Sequence, residues 1–205
     1  IPASMMSLIT YVYPMLVLLI NLIFLKQKIF KRQWVSVVFI IAGCLCIFSD
    51  AFSLQVSEIA LLLGFLSTLM YALYLISLQQ LATGVSALQV TFLTIGIATI
   101  GLSFIHNPLA LTNYGFEQLT VSAAYGLIST VMSTVFLSRA IQLLGATEAG
   151  IFCSFEPAFT IVFASMLLGE QIPTFRWIGL VLLICAIVLP NSRIVLSSLN
   201  RRNYR

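Results

Sequence analysis

One carboxylate, Glu156, lies near the middle of a long apolar segment, residues 147–168. Burying a charged carboxylate in such a segment is costly, so the group is normally protonated, paired or facing water. Two interpretations stay open. Glu156 contacts a solute or takes up a proton in a polar cavity, or it is a protonated group that hydrogen-bonds between helices and holds its own helix in place.

Small, hydroxyl and aromatic residues recur at steps of three and four in three apolar segments, residues 3–25, 58–81 and 147–168. This spacing places them on one face of a helix. Small residues also let membrane helices approach closely, so helix packing and the lining of a polar cavity both stay open. The cavity interpretation gives eight candidate substrate-binding residues: Ser7, Tyr11, Pro14, Tyr71, Tyr74, Ser154, Glu156 and Pro157.

The chain carries no spacing typical of a metal or cofactor site. Its four cysteines (44, 46, 153 and 185) lie inside apolar segments, and His106 is the one histidine. Structural and catalytic zinc sites need several Cys or His ligands at short spacings, which are missing. An intramembrane enzyme would need a convergent set of acid, base or metal ligands. We therefore expect no metal, no cofactor and no catalytic activity.

The composition indicates an integral membrane protein. Of the 205 residues, 60% are apolar and 8% are charged, and the mean hydropathy is +1.09. Soluble domains carry about 25% charged residues. The net charge of +4 comes from basic residues clustered in one loop (26–32) and in the C-terminal tail. Such clusters are typical of cytoplasmic loops rather than of nucleic-acid binding, so the expected surroundings are a lipid bilayer.

The apolar segments predict seven transmembrane helices, because a bilayer core of about 30 Å takes roughly 20 residues per helix. Placing the basic loop in the cytoplasm puts the basic tail, residues 191–205, on the same side. The predicted spans are residues 3–25, 34–48, 58–81, 87–105, 120–144, 147–168 and 175–189.

The sixth and seventh predicted spans repeat the first and second. At a fixed offset of 143 residues, Pro157 falls on Pro14 and Trp177 on Trp34. The predicted topology makes the two copies run in opposite directions, as in transporters built from inverted repeats. Three spans precede the second copy and none precedes the first, so we expect about three further N-terminal helices and ten in all. A proline inside a span removes a backbone donor and predicts a kink in both copies.

Three motifs resemble the drug/metabolite transporter superfamily, specifically EamA-like transporters. They are the run 139–147, the pair Glu156-Pro157, and the run 168–171 (Leu-Gly-Glu-Gln). The resemblance implies an all-α membrane protein, with residues 1–50 forming the last two helices of a first five-helix repeat and residues 57–190 forming a complete second repeat. It also implies cytoplasmic termini and alternating access around a central cavity.

The expected function is secondary transport of a small organic solute, such as an amino acid, another metabolite or a drug-like compound. Proton coupling and assembly into a homo-oligomer stay open, and the expected location is a bacterial inner membrane. A non-transporting membrane scaffold or partner subunit is the main alternative, followed by an intramembrane enzyme.

Overall fold

The structure is a computed structural model that describes residues 3–49, 57–81, 84–105, 114–168 and 173–202. Throughout these ranges the regular secondary structure is helical, with no strand. The helices are α1 (Ala3–Thr10), α2 (Tyr13–Ile23), α3 (Lys31–Ile47), α4 (Glu58–Leu81), α5 (Ala87–Ile105), α6 (Phe116–Tyr125), a π-helical stretch (Gly126–Met132), α7 (Ser133–Leu144), α8 (Ala146–Cys153), α9 (Glu156–Leu168) and α10 (Thr174–Arg202).

Five helical segments of the described chain are long and apolar enough to cross a membrane. They are Met6–Ile23, Glu58–Leu81, Ala87–Ile105, Phe116–Leu144 and Ala146–Leu167. These correspond to five of the seven predicted spans. The predicted second span lies in α3, which has 17 residues, and the seventh lies in a shorter apolar stretch, Thr174–Val188. The count of seven therefore stays a prediction.

The first and sixth predicted spans are each interrupted rather than merely kinked. The chain leaves the α-helix at residues 11–12, between α1 and α2, and again at residues 154–155, between α8 and α9. In both places a proline follows two residues later, within the first turn of the new helix, where a missing N–H is tolerated. The prolines thus start new helices, and each break lies 143 residues from the other.

The hydrogen bonds around the two breaks match one for one. In the first copy, the N–H groups of residues 11, 12, 15 and 16 donate to the carbonyls of residues 7, 9, 12 and 12. In the second copy, those of residues 154, 155, 158 and 159 donate to the carbonyls of residues 150, 152, 155 and 155. Every donor and every acceptor is displaced by the same 143 positions. The local backbone is therefore the same in both copies.

Two elements extend further than the sequence predicts. The fifth predicted span begins at Phe116 rather than at residue 120, and it contains the π-helical stretch Gly126–Met132. The helix of the seventh continues through Pro190 to Arg202, where the sequence prediction ends the span before the proline.

The chain divides into two compact units. The first contains Ile1–Ile76 and Ala146–Arg205, and the second contains Ser77–Gly145. In the second unit α5 packs against α7, and the side chain of Gln142 donates to the carbonyl of Val85 at 2.9 Å. Gly145 ends α7 with φ +86°, a left-handed conformation that glycine adopts without steric cost.

The most extensively packed helix pair of the first unit is α3 with α10. The hydroxyl of Ser36 donates to the carbonyl of Ala186 at 2.6 Å. Seven residues further along α3, Gly43 faces Gly179 so closely that an added Cβ on either would lie 2.9 or 2.7 Å from the other's carbonyl oxygen. Ser36 contacts Ala186 and the later residue Gly43 contacts the earlier residue Gly179, so the two helices are antiparallel. Their apolar core includes Ile40, Cys44, Ile47, Ile151, Leu183 and Ala186.

Candidate functional site

A cavity of about 580 Å³ lies in the first unit, beside the two helix breaks. Its walls come from α1, from the start of α2, from α4, and from the junction of α8 with α9. Its volume falls within the range of about 300–1,000 Å³ that small-molecule sites occupy. The lining residues are Met6, Ser7, Thr10, Tyr11, Tyr13, Ser67, Thr68, Tyr71, Cys153 and Glu156.

Half of the eight candidate residues predicted from the sequence line this cavity. They are Ser7, Tyr11, Tyr71 and Glu156. Ser7, Tyr71 and Glu156 come from α1, α4 and α9, and Tyr11 comes from the break between α1 and α2. The fold brings all four together as one polar surface.

The other four candidates are buried or half-buried. Pro14, Pro157 and Ser154 are buried, while Tyr74 is half-buried, with its ring centroid 6.1 Å from that of Tyr71. The hydroxyl of Ser154 donates to the carbonyl of Gly150, four residues earlier in α8, at 2.8 Å. None of the four is among the residues that line the cavity.

Glu156 is the charged residue of the cavity wall. It occupies the first position of α9, directly after the second break, and it is exposed. Its carboxyl group interacts with the side chain of Tyr11 across the cavity. Among the described residues that line it, none is a lysine, an arginine or a histidine. The cavity therefore presents a carboxylate to a ligand without an opposite charge from the protein beside it.

Tyr13 takes the corresponding position in the first copy and has a different role. Its hydroxyl donates to the carbonyl of Gly150 at 2.9 Å, and its ring lies edge-on to Tyr71 with 5.0 Å between the ring centroids. A Cβ on Gly150 would lie 3.2 Å from the Tyr13 ring, so glycine makes room for this contact. Tyr13 thus connects α2 to α8, whereas Glu156, at the equivalent position of the second copy, is exposed at the cavity wall.

Six lining residues were not candidates from the sequence, and a signal exists for three of them. Thr10 and Cys153 each precede a proline by four residues, at repeat-related positions. Tyr13 precedes Pro14 as Glu156 precedes Pro157. Applying the 143-residue offset to the residues around the prolines, and not only to the prolines themselves, identifies all three.

A second polar cluster joins α2, the start of α3 and the start of α8. The side-chain amide of Asn21, which is completely buried, donates to the hydroxyl of Thr147 at 2.8 Å. At the end of the same interface, Arg32 and Gln33 approach one carboxylate oxygen of Glu148 at 3.4 and 3.1 Å. These contacts hold the start of α8 against α2 and α3, away from the cavity.

An apolar groove of about 750 Å³ is lined by residues of α8 and α9 and of the junction between them. The rings of Phe155, Phe159 and Phe163 succeed one another along it at centroid distances of 5.1 and 6.5 Å. Glu156 lines both this groove and the polar cavity. The groove itself offers few polar groups to a solute.

No group of three potential metal ligands occurs within the described part of the chain. His106 and the run 169–171, which contains the Gly-Glu pair of the resemblance, lie outside the described residues.

Comparison with known proteins identifies relatives over nearly the whole chain. It is 22% identical to "Uncharacterized transporter YyaM" of Bacillus subtilis (strain 168) over 204 residues, which cover 96% of this chain and 67% of that protein. It is also 34% identical to the permease-like protein YdzE of the same organism over 64 residues, covering 31% of this chain and 82% of that one.

A crystal structure of a protein with 15% sequence identity has the same fold. Its TM-score is 0.72, over 93% of this chain and 69% of the other. The sequence profile of the EamA-like transporter family matches residues 1–49 and 58–192. This family and its transporter-named relatives point to transport rather than to catalysis. Together with the apolar helices, these matches establish a multi-pass integral membrane protein, and the chain belongs to the EamA-like transporter family.

Proposed function

We propose that this protein is a secondary transporter that moves a small organic solute through the cavity beside the two helix breaks. The observation that carries the proposal is the meeting of Ser7, Tyr11, Tyr71 and Glu156 in that cavity. Its walls combine hydroxyl groups, aromatic rings and one carboxylate inside an otherwise apolar protein. Such a surface suits a solute with polar and apolar parts, for instance an amino acid, another metabolite or a drug-like compound.

The matching breaks support an inverted-repeat architecture. The four hydrogen bonds around residues 11–12 recur around residues 154–155 at one offset. At the same offset Ser36 falls on Gly179 and Gly43 on Ala186, so the contact of Ser36 with Ala186 is equivalent to that of Gly179 with Gly43. Two antiparallel helices that exchange places under the repeat are what an axis in the membrane plane produces.

In this proposal the complete carrier has ten helices in two repeats of five. Residues 1–50 belong to the first repeat, residues 57–190 form the second, and residues 191–205 form a cytoplasmic tail. The cluster of basic residues in the 26–32 loop favours the same cytoplasmic side for that loop. A bacterial cell membrane fits the Bacillus relatives.

Alternating access would expose the cavity to one side of the membrane at a time. Broken helices near the membrane midplane support such a mechanism, because the two parts of each helix can reorient separately. Glu156 is the group we assign to solute contact or proton uptake, since it lines the cavity and remains exposed. The structural alternative, a carboxyl group that only fixes α9, predicts that Glu156→Gln leaves transport rate and its pH dependence unchanged.

Cys153 provides a test that needs no knowledge of the solute. It is half-buried and lines the cavity. The other three cysteines are replaced by alanine, the protein is placed in proteoliposomes of known orientation, and a membrane-impermeant methanethiosulfonate is added from one side at a time. Alternating access predicts that Cys153 reacts from either side. A variant without cysteines provides the background.

Reaction from one side alone, under all solute and pH conditions, would contradict alternating access. That result would instead favour the scaffold or partner-subunit alternative, with a pocket open permanently to one compartment. A complete lack of reaction would show that the cavity is closed to water and would remove it as the transport site.

A further inference from the structure

The two prolines leave two backbone carbonyls without their helical donors, and both belong to residues of the same cavity. In an α-helix a carbonyl accepts from the N–H four residues later, and proline has no N–H. Pro14 therefore leaves the carbonyl of Thr10 without that donor, and Pro157 does the same for Cys153. Thr10 and Cys153 both line the cavity, on opposite copies of the repeat.

Two hydroxyl groups of the cavity wall have already used their hydrogens. Thr10 already donates its hydroxyl hydrogen to the carbonyl of Met6, and Thr68 donates to that of Gly64, each at 2.9 Å. Their hydroxyl oxygens can still accept. The hydroxyl groups of Ser7, Ser67, Tyr11 and Tyr71 also belong to the wall and can donate or accept. The two carbonyls and the carboxylate of Glu156 can only accept.

A ligand that satisfies the two carbonyls and the carboxylate brings a positive charge and several N–H donors. A primary ammonium group has three donors and no acceptor, which is the complement of two carbonyls and a carboxylate. The rings of Tyr11, Tyr13 and Tyr71 also line the cavity, and aromatic faces attract cations. At about 580 Å³ the cavity leaves room for an organic body beyond the ammonium group, which a bare sodium ion would not fill.

We propose that the cavity is a binding site for the primary ammonium group of an organic solute, held by the carbonyls of Thr10 and Cys153 and by the carboxylate of Glu156. This inference rests on the proposed function, because it names the class of solute that the carrier would take. It predicts that the site distinguishes solutes by their number of N–H donors as well as by their charge.

Equilibrium binding of radiolabelled phenethylamine to the purified chain in lipid nanodiscs tests it at pH 7, where this amine is protonated. Phenethyltrimethylammonium has the same charge and ring but no N–H donors, and we expect it to bind at least tenfold more weakly. Glu156→Gln should weaken phenethylamine binding at least tenfold. Glu58→Gln makes the same chemical change on an exposed residue away from the cavity and should leave binding unchanged.

A second variant addresses the carbonyls. Pro157→Ala places an N–H four residues after Cys153 that can donate to its carbonyl across the break, and binding should then fall several-fold. Glu156→Asp retains the charge and should keep part of the affinity, which shows that a loss in Glu156→Gln reflects the carboxylate and not misfolding. Matching elution profiles and helix content of all variants check the fold.

Four results would overturn the proposal: no phenethylamine binding at millimolar concentration, equal affinity for the trimethyl analogue, full affinity in Glu156→Gln, or competitive displacement of the probe by sodium at constant ionic strength. Equal affinity for the trimethyl analogue would assign recognition to the aromatic rings. Displacement by sodium would assign the site to a metal ion. Transport itself is judged separately by the two-sided reaction of Cys153, so either idea can fail while the other survives.

Discussion

Adding one methyl group at Gly179 should separate α3 from α10 and destabilise the first unit. A Cβ at this position would lie 2.7 Å from the carbonyl oxygen of Gly43, 2.7 Å from Cγ1 of Ile47 and 3.0 Å from Cβ of Cys46. Carbon atoms in good contact are about 3.5–4.0 Å apart, so the helices must move. One of the three obstacles is backbone and another is a Cβ, and neither can rotate away.

The expected loss is about 1–3 kcal/mol in the free energy of unfolding, the usual cost of an added methyl group in a packed core. A radial gap of about 0.5–1 Å forfeits a quarter to a half of the dispersion energy of each contact, and the gap would extend along the interface. For a chain of this length, each kcal/mol lowers Tm by about 2–4 °C. Gly43→Ala should have a similar effect, and the double variant should cost less than the sum because both changes relieve one contact.

Thermal unfolding with a thiol-reactive dye measures this effect directly. Cys44 lies beside the contact and is 2% exposed, so it reacts when the helix pair separates. The other cysteines are replaced by alanine, and the protein is heated in detergent. Gly96→Ala is the matched control, because an added Cβ there would meet nothing within 4 Å. A Gly179→Ala variant with the same Tm as Gly96→Ala would refute the close packing of α3 and α10.

Three further changes test individual contacts in the same assay. Tyr13→Phe removes the hydrogen bond to Gly150 and should cost about 0.5–1.5 kcal/mol; an unchanged Tm would mean that the Gly150 carbonyl does not need this donor. Arg32→Ala breaks the partly exposed pair with Glu148 and should cost less than about 1 kcal/mol; a larger, salt-independent loss would contradict a solvated pair. Gly145→Ala forces alanine to φ +86° and should cost about 1–2 kcal/mol; no loss would mean that the turn relaxes freely.

The helical membrane class followed from composition, since a chain this apolar cannot be a soluble domain. The sequence also located both helix breaks to within a few residues, because a proline in an apolar segment removes one specific hydrogen bond. It did not distinguish a kink from an interruption. The interruption arises because the N–H groups of residues 12 and 155 donate to the carbonyls three residues earlier instead of four. No side-chain pattern in the sequence predicts this change.

The candidate site was predicted less completely. Helical periodicity identifies the helix faces that carry Ser7, Tyr11 and Tyr71. It does not predict which residues of such a face line the cavity and which are buried. Ser154 and Pro157 share the stripe and yet are buried. Thr10 and Tyr13 lie at the junction of two helices, where the phase of the period changes. Periodicity within one helix therefore misses them.

The first break also makes α2 a lever arm. This helix has 11 residues, and Asn21 lies about 12 Å from its pivot at Tyr13, at 1.5 Å per residue. A tilt of about 10° at the pivot would displace Asn21 by about 2 Å, given that rise per residue. The hydrogen bond from Asn21 to Thr147 is 2.8 Å long, and such bonds weaken beyond about 3.2 Å. A rotation small enough to leave every bond within α2 intact is therefore large enough to open the α2–α8 interface at that end.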